Sequence, residues 1–259
     1  MDSAIETVVF DLDGTIYQDT GFYRHYLRFL VEGTPRAQWG GDLTSFCGRV
    51  FRGEALKMNS FYRTAQGDFS SPGGFFNALG ALRLDAWEPG AYNLGDAWAV
   101  VEYIGASLGL LGGGRREAVY ARTRAAMVAD GLRADAALRA SIRALTGRCA
   151  TVLVSNSYES TAREFLRAIG FDDVFSRAVF SARKPDGLAA ALDGALPGVL
   201  ARPQTILSVG DFAYNDLEPL AALGARTVWI NPYEGVAKPP CDVELKTTAD
   251  LARFLDSLC

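Results

Sequence analysis

Two rhythms of apolar positions run along this chain. Residues 5–11, 151–154, 178–180, 204–209 and 225–231 are short runs dense in β-branched and aromatic side chains, bounded by polar or turn residues in the manner of buried strands. Stretches 159–169, 188–196 and 216–223 instead space their apolar residues three and four apart, the period of an amphipathic helix, and Gly224 closes the last of them. Strands alternating with helices predict an α/β fold, a doubly wound (Rossmann-like) parallel sheet. In such a sheet ligands bind beyond the carboxyl ends of the strands.

Between Tyr17 and about residue 145 the rhythm is helical, at 22–31, 43–58, 97–111, 117–129 and 136–145. Stretch 64–96 is rich in Gly, Pro, Ser and Asn and reads as long loops around one short helix. The expected organisation is a core domain of residues 1–17 and 146–259, interrupted by a mostly helical inserted domain at 18–145.

The polar residues that break the strand pattern fall where such a sheet keeps its ligands. In "TVVFDLDGT" the apolar run ends in Asp11 and Asp13, two positions apart and therefore on one face of an extended chain. Like charges placed this way repel unless something positive lies between them. Run 151–154 ends in Ser155, Asn156 and Ser157, and run 204–209 ends in Gly210 and Asp211, with Asp216 soon after; Lys184 follows the run at 178–180. Collected at one sheet edge, these carboxylates suit Mg²⁺, a hard ion that prefers carboxylate and water oxygens. An ionised aspartate can also attack phosphorus and split one hard hydrolysis into two easier steps. Asp11 is the candidate nucleophile. Asp13 is the candidate acid and base, with only its backbone carbonyl on the metal. Ser155, Lys184 and the amides of Leu12 and Asn156 are candidate donors to a phosphoryl group.

Composition narrows the field without redirecting it. Among 259 residues, 26 Lys and Arg against 30 Asp and Glu leave a net charge of −4, so no polycationic surface for nucleic acid or anionic lipid is advertised. The single histidine, His25, excludes a His-rich zinc site and Ser-His-Asp chemistry, and leaves catalysis to carboxylates. Cys47, Cys149, Cys241 and Cys259 are too scattered for a metal-binding or disulfide framework and read as reduced thiols. With neither a leader pattern nor an apolar span of bilayer length, the expectation is a cytoplasmic monomer or homodimer whose partner is a small phosphorylated metabolite.

Four ordered motifs, "FDLDGT", "LVSNS", "RKPDG" and "GDFAYND", resemble those of the haloacid dehalogenase (HAD)-like superfamily of phosphohydrolases. The resemblance covers residues 5–18 and 148–235. It implies Asp11 as nucleophile, Asp13 as acid and base, Ser155 and Lys184 on the phosphoryl group, and Asp211 on Mg²⁺. Thr15 and Asn215 are implied as supporting residues, with Asp216 steadying the metal's waters or Lys184. Family members that dehalogenate lack the second acid, so Asp13 favours phosphoryl transfer. The insertion matches the family's helical C1-type cap by position and length, and a cap that closes over its site selects small substrates. The implied activity is a Mg²⁺-dependent phosphatase working through an aspartyl-phosphate. The rivals are a phosphoglucomutase-like phosphotransferase using the same intermediate and a catalytically silent metabolite-binding protein.

Other motifs carry less. "GASLG" at 105–109 has the form of a serine-hydrolase elbow, but His25 precedes it and the pattern needs a histidine that follows. "SARK" at 181–184 lacks the companion motifs of penicillin-binding proteins. Cys47 and the aromatics Phe22, Tyr23, Trp39, Phe46, Tyr62, Trp87 and Trp98 are expected to pack a core, and Gly112 to Gly114 to turn the chain into a helix.

Overall fold

A computed structural model describes residues 4–19 and 21–258. In chain order, strand β1 (Thr7–Phe10) is followed by helices α1 (Phe22–Val31) and α2 (Gly40–Phe51), strand β2 (Phe61–Tyr62), helix α3 (Pro72–Ala81), strands β3 (Arg83–Leu84) and β4 (Tyr92–Asn93), and helices α4 (Ala97–Ser107), α5 (Arg115–Ala129) and α6 (Ala136–Thr146). Then come β5 (Ala150–Val154), α7 (Glu159–Ile169), β6 (Arg177–Val179), α8 (Leu188–Ala195), β7 (Ile206–Gly210), α9 (Ala213–Asp216), α10 (Glu218–Ala221), β8 (Arg226–Ile230), β9 (Val243–Leu245) and α11 (Thr248–Ser257). The chain forms two compact units, one of residues 4–19, 131–232 and 239–258, the other of residues 21–130 and 233–238.

The first unit holds a six-stranded parallel sheet in the order β6-β5-β1-β7-β8-β9. Both faces of a sheet of this kind are covered, which is why its strands read as continuous apolar runs and not as an alternation. Val9, Val152, Val154 and Ile206 pack with Leu188, Leu192 and Leu220 of the flanking helices. From β1 the chain proceeds outward through β5 and β6, then returns to build β7, β8 and β9 on the other side, so β1 lies at the topological switch. Phe10 is level with Leu153 on one neighbour and Val209 on the other. Asp11, Ser155 and Asp211 therefore leave the sheet along one edge.

Several boundaries differ from the sequence expectation: the helices expected at 43–58 and 97–111 end at Phe51 and Ser107, and three further differences are larger. Helix α6, expected in the insertion, packs against α11 in the first unit, and the expected boundary at residue 145 moves to 130. Residues 233–238, expected in the core, belong to the second unit. The 3.6-residue period of α6 records that one face is buried, and that period is the same whichever partner covers it. The expected helix at 216–223 is two short helices, α9 and α10, parted at Leu217 just before Pro219; the residue ahead of a proline, here Glu218, and its flank resist a continuous α-helix. Cys259 lies outside the described residues.

The second unit is mainly α1, α2, α4 and α5, with α3 in the loop-rich stretch and a small antiparallel sheet, β3-β2-β4, that two-residue strands leave invisible to pattern reading. Helix α3 starts at Pro72 behind Ser71, whose hydroxyl accepts from Gly74 N at 3.3 Å, and α5 starts behind Gly114 at φ +76°. The unit's aromatics interleave, Phe22 stacking on Trp98 at 4.1 Å and Phe46 on Phe76 at 4.2 Å, and Tyr62 is buried, but Trp87, expected to pack, is exposed. Cys47 is fully buried on α2, and burial pushes its thiol far up.

Candidate active site

The site lies wholly in the first unit. Asp11 N donates to Val209 O at 3.0 Å, which carries the ladder one residue past β1 and aims the Asp11 side chain off the sheet edge. Lys184 Nζ donates to Asp11 Oδ1 and Asp216 Oδ1, each at 2.6 Å, and all three side chains are buried. Asp11, Asp211 and Asp216 each offer a carboxylate oxygen, and those oxygens lie within 4.8 Å of one another. Asp13, expected on the metal through its backbone, has its carboxylate elsewhere, accepting from Ser157 Oγ at 2.9 Å and from the Tyr17 hydroxyl.

Two glycines make this crowding possible. Gly14 has φ +78°, and a Cβ there would fall 1.9 Å from Asp211 Oδ2; a Cβ at Gly210 would fall 2.3 Å from Asp216 Cβ. Secondary contacts then fix the ligands. Trp229 Nε1 donates to Asp211 O at 2.8 Å, Phe212 N donates to Asp216 Oδ2 at 3.0 Å, and Ser208 Oγ donates to Asp216 O at 2.5 Å. Asn156 grips the Lys184 backbone from both sides, Lys184 N donating to Asn156 Oδ1 at 2.7 Å and Asn156 Nδ2 donating to Lys184 O at 3.1 Å. The loop that delivers Lys184 holds Ser181 and Arg183 at φ +51° and +54°, conformations that non-glycine residues rarely adopt and that cluster at functional sites.

The electrostatics follow from burial. Asp11 is pushed up to about 7 by burial, against the pull of Lys184 and helped by the negative charges of Asp216 and Asp13. Burial raises Asp216 as well. Burial works against the charge on Lys184 too, but the carboxylates of Asp11 and Asp216 outweigh it and hold the ammonium above the ordinary lysine value. Three buried carboxylates against one ammonium leave two negative charges when all are ionised, the charge of one divalent cation. The donor set is oxygen only, three carboxylate oxygens gathered within 4.8 Å of one another, so these residues fit Mg²⁺.

The fold thus gathers Asp11, Lys184, Asp211 and Asp216 at one point, with Asp216 bonded directly to Lys184. Ser155 lies at the same edge, buried, its Oγ accepting from Ser157 N at 3.1 Å. Leu12 is buried between the two acids, and Asn156 meets the site through the Lys184 backbone. Thr15 is fully buried with no hydrogen-bond partner for its hydroxyl among the described residues, and Asn215 lies on α9 beside Asp216. Sequence reasoning overlooked Tyr17, Ser157 and Trp229. Ser157 stood in the polar run after β5, but nothing local distinguishes Tyr17 or Trp229 from packing aromatics.

The doubly wound sheet thus carries a buried cluster of carboxylates and one lysine at its topological switch point. A family description of haloacid dehalogenase-like hydrolases matches residues 5–224, and the chain belongs to that family. No curated protein matches the sequence. Among solved structures the fold is similar to YfnB of Bacillus subtilis, assigned to the HAD hydrolases and bound to magnesium, at 18% identity and TM-score 0.58 over 98% of this chain and 100% of that one. It is also similar to a Thermotoga maritima protein assigned as a β-phosphoglucomutase (14%, TM-score 0.54, 98% and 100% covered). A HAD phosphatase from Thermococcus onnurineus is similar to the same degree (16%, TM-score 0.53, 97% and 98% covered). Dehalogenases are among the matching structures as well. Identities this low speak to the fold, and the chemistry has to be argued from the site.

Proposed function

We propose that this chain is a Mg²⁺-dependent phosphomonoesterase that hydrolyses a small phosphorylated metabolite through a phosphorylated Asp11. The observation that carries this reading is the division of labour among the acids: Asp11 lies in a cluster with Asp211, Asp216 and Lys184, while the Asp13 carboxylate is held apart on two hydroxyls. A dehalogenase has no use for a second acid held in this way.

In the reaction, an Asp11 oxygen attacks phosphorus as the bond to the leaving oxygen breaks, and Asp13 supplies that oxygen with a proton. Water then attacks the aspartyl-phosphate, giving its proton to Asp13, and the bond between Asp11 and phosphorus breaks to release inorganic phosphate. Lys184 and Ser155 donate to the transferring oxygens, and Asn156 keeps Lys184 in reach. The side chains of Asp11 and Asp211 and the backbone carbonyl of Asp13 would hold Mg²⁺, with Asp216 in support. When bound, the ion neutralises charge between the carboxylates and the phosphoryl group. Choice of substrate is assigned to the second unit, in the role of a cap.

Purified protein assayed for phosphate release with and without Mg²⁺, on 4-nitrophenyl phosphate and a panel of phosphometabolites, tests the reading. Release that needs the ion and vanishes in Asp11→Asn is the expected result. An isomeric phosphate ester formed in place of free phosphate would move the assignment to a phosphotransferase, and failure on every substrate would remove it. Among the described residues no helix is long and apolar enough to cross a membrane.

A further inference from the structure

Asp13 is held more firmly than its position in a turn requires. Its two carboxylate oxygens are taken by hydroxyls from different parts of the sheet edge, Oδ1 by Tyr17 from the turn after β1 and Oδ2 by Ser157 from the turn after β5. Both donors are themselves buried and held by contacts of their own. Tyr17 is 2% exposed, its ring packs edge-on against Phe165 of α7 at 4.8 Å, and its backbone bridges to that of Asp13. Ser157 is buried, its N–H donating to Ser155 Oγ and its carbonyl accepting from Ser181 N at 3.0 Å. The turn between Asp13 and Tyr17 is closed by Ile16 N donating to Leu12 O at 3.1 Å.

We propose that Tyr17 and Ser157 are positioning residues that aim the Asp13 carboxylate at the departing oxygen of the substrate, an inference that rests on the phosphatase reading above. A phenylalanine at 17 would fill the same space against Phe165, so packing leaves the hydroxyl unexplained; a buried tyrosine hydroxyl needs a polar partner, and here the partner is the acid that must transfer a proton. A carboxylate oxygen has room for more than one hydrogen bond, so a hydroxyl tether does not by itself bar Asp13 from a leaving oxygen. Neutral hydroxyls also orient the group without setting a positive charge beside it, unlike Lys184 on Asp11. Proton transfer is steep in geometry, and a carboxylate free to turn loses much of its effect.

The test is dependence on the leaving group. With Mg²⁺ present, kcat/KM is measured for 4-nitrophenyl phosphate, whose leaving group departs readily without a proton, and for phenyl phosphate, whose leaving group needs one. Wild type, Tyr17→Phe, Ser157→Ala and Asp13→Asn are compared, each with its thermal midpoint. The expected result is a loss of about tenfold on phenyl phosphate in Tyr17→Phe and Ser157→Ala, a larger loss in Asp13→Asn, and a change of less than about twofold on 4-nitrophenyl phosphate in the two hydroxyl variants. Equal losses on both substrates, or none, overturn the inference while leaving the phosphatase reading standing. A wild type inactive on both removes reading and inference together. If one hydroxyl variant fails to fold, the other decides the question by the same comparison of substrates.

Discussion

The two units bury polar side chains in opposite ways. In the second unit Asp96, Thr123 and Ser107 each serve a backbone atom, while buried Arg124 donates to the Tyr120 hydroxyl at 2.9 Å on its own helix. Asp96 caps α4 by accepting from Ala99 N at 2.5 Å, Thr123 Oγ1 donates to Val119 O at 2.7 Å one turn back, and Ser107 Oγ accepts from Ala65 N at 3.1 Å. In the first unit Lys184, Asp11 and Asp216 serve one another, across 173 residues in the first pair and 32 in the second. A single group that satisfies a backbone atom adds modestly to stability, whereas charges gathered in a dry site cost folding energy and persist where chemistry needs them. The location of function is read from that contrast more directly than from any cavity.

If the contrast is sound, Asp11→Asn should be the most damaging change to activity, lowering phosphate release by about 10⁴-fold or more, while the protein stays folded. A variant that retained substantial turnover would move the nucleophile elsewhere. Lys184→Met should be the most damaging to stability, by about 3–5 kcal/mol in denaturant unfolding, because it leaves two buried carboxylates facing each other without their cation. Adding Asp11→Asn to Lys184→Met should recover part of that loss, and purely additive effects would show that the pair is not coupled.

The cluster should also reveal itself through pH. In the metal-free folded protein Asp11 lies at about 7 against an ordinary 3.8. Between those values the folded state binds more protons than the unfolded chain, so stability falls as pH rises from about 4 to about 7 and then levels off. Thermal midpoints of metal-free wild type at pH 5, 6, 7 and 8, taken relative to Asp11→Asn, isolate this contribution, and Mg²⁺ should flatten the decline by favouring the ionised carboxylates. A relative midpoint that climbs over that window would contradict the burial argument. The smallest effect belongs to the second unit: Asp96→Ala should cost about 1 kcal/mol in denaturant unfolding through the lost cap, and should leave unchanged the part of the pH profile that Asp11→Asn removes. A change in that profile would blur the distinction between the units.

Much of the first unit was legible because its signals are local. A run such as "TVVF" must be buried, a side-chain period of two puts Asp11 and Asp13 on one face, and a glycine after them marks the turn; these follow from backbone geometry within a few residues. The ends of α1 and α7 could be read for the same reason, each bearing a complete amphipathic face. The two-residue strands of the second unit could not, since two residues show no period, and β9 and α11 went unnoticed although Thr247 and Asp250 form a capping box at the start of α11.

By itself the sequence determined which residues end strands in acid, hydroxyl or amide, because strand and turn propensities act over neighbours. Only the tertiary structure decided that Lys184 bridges Asp11 and Asp216, that Tyr17 and Ser157 take hold of Asp13, and that α6 joins the sheet domain. Those partnerships depend on the order β6-β5-β1-β7-β8-β9, which brings together the ends of strands far apart in the chain. The physical reason is that a strand's apolar run records its burial but not the identity of its neighbours, and the neighbours choose the chemistry.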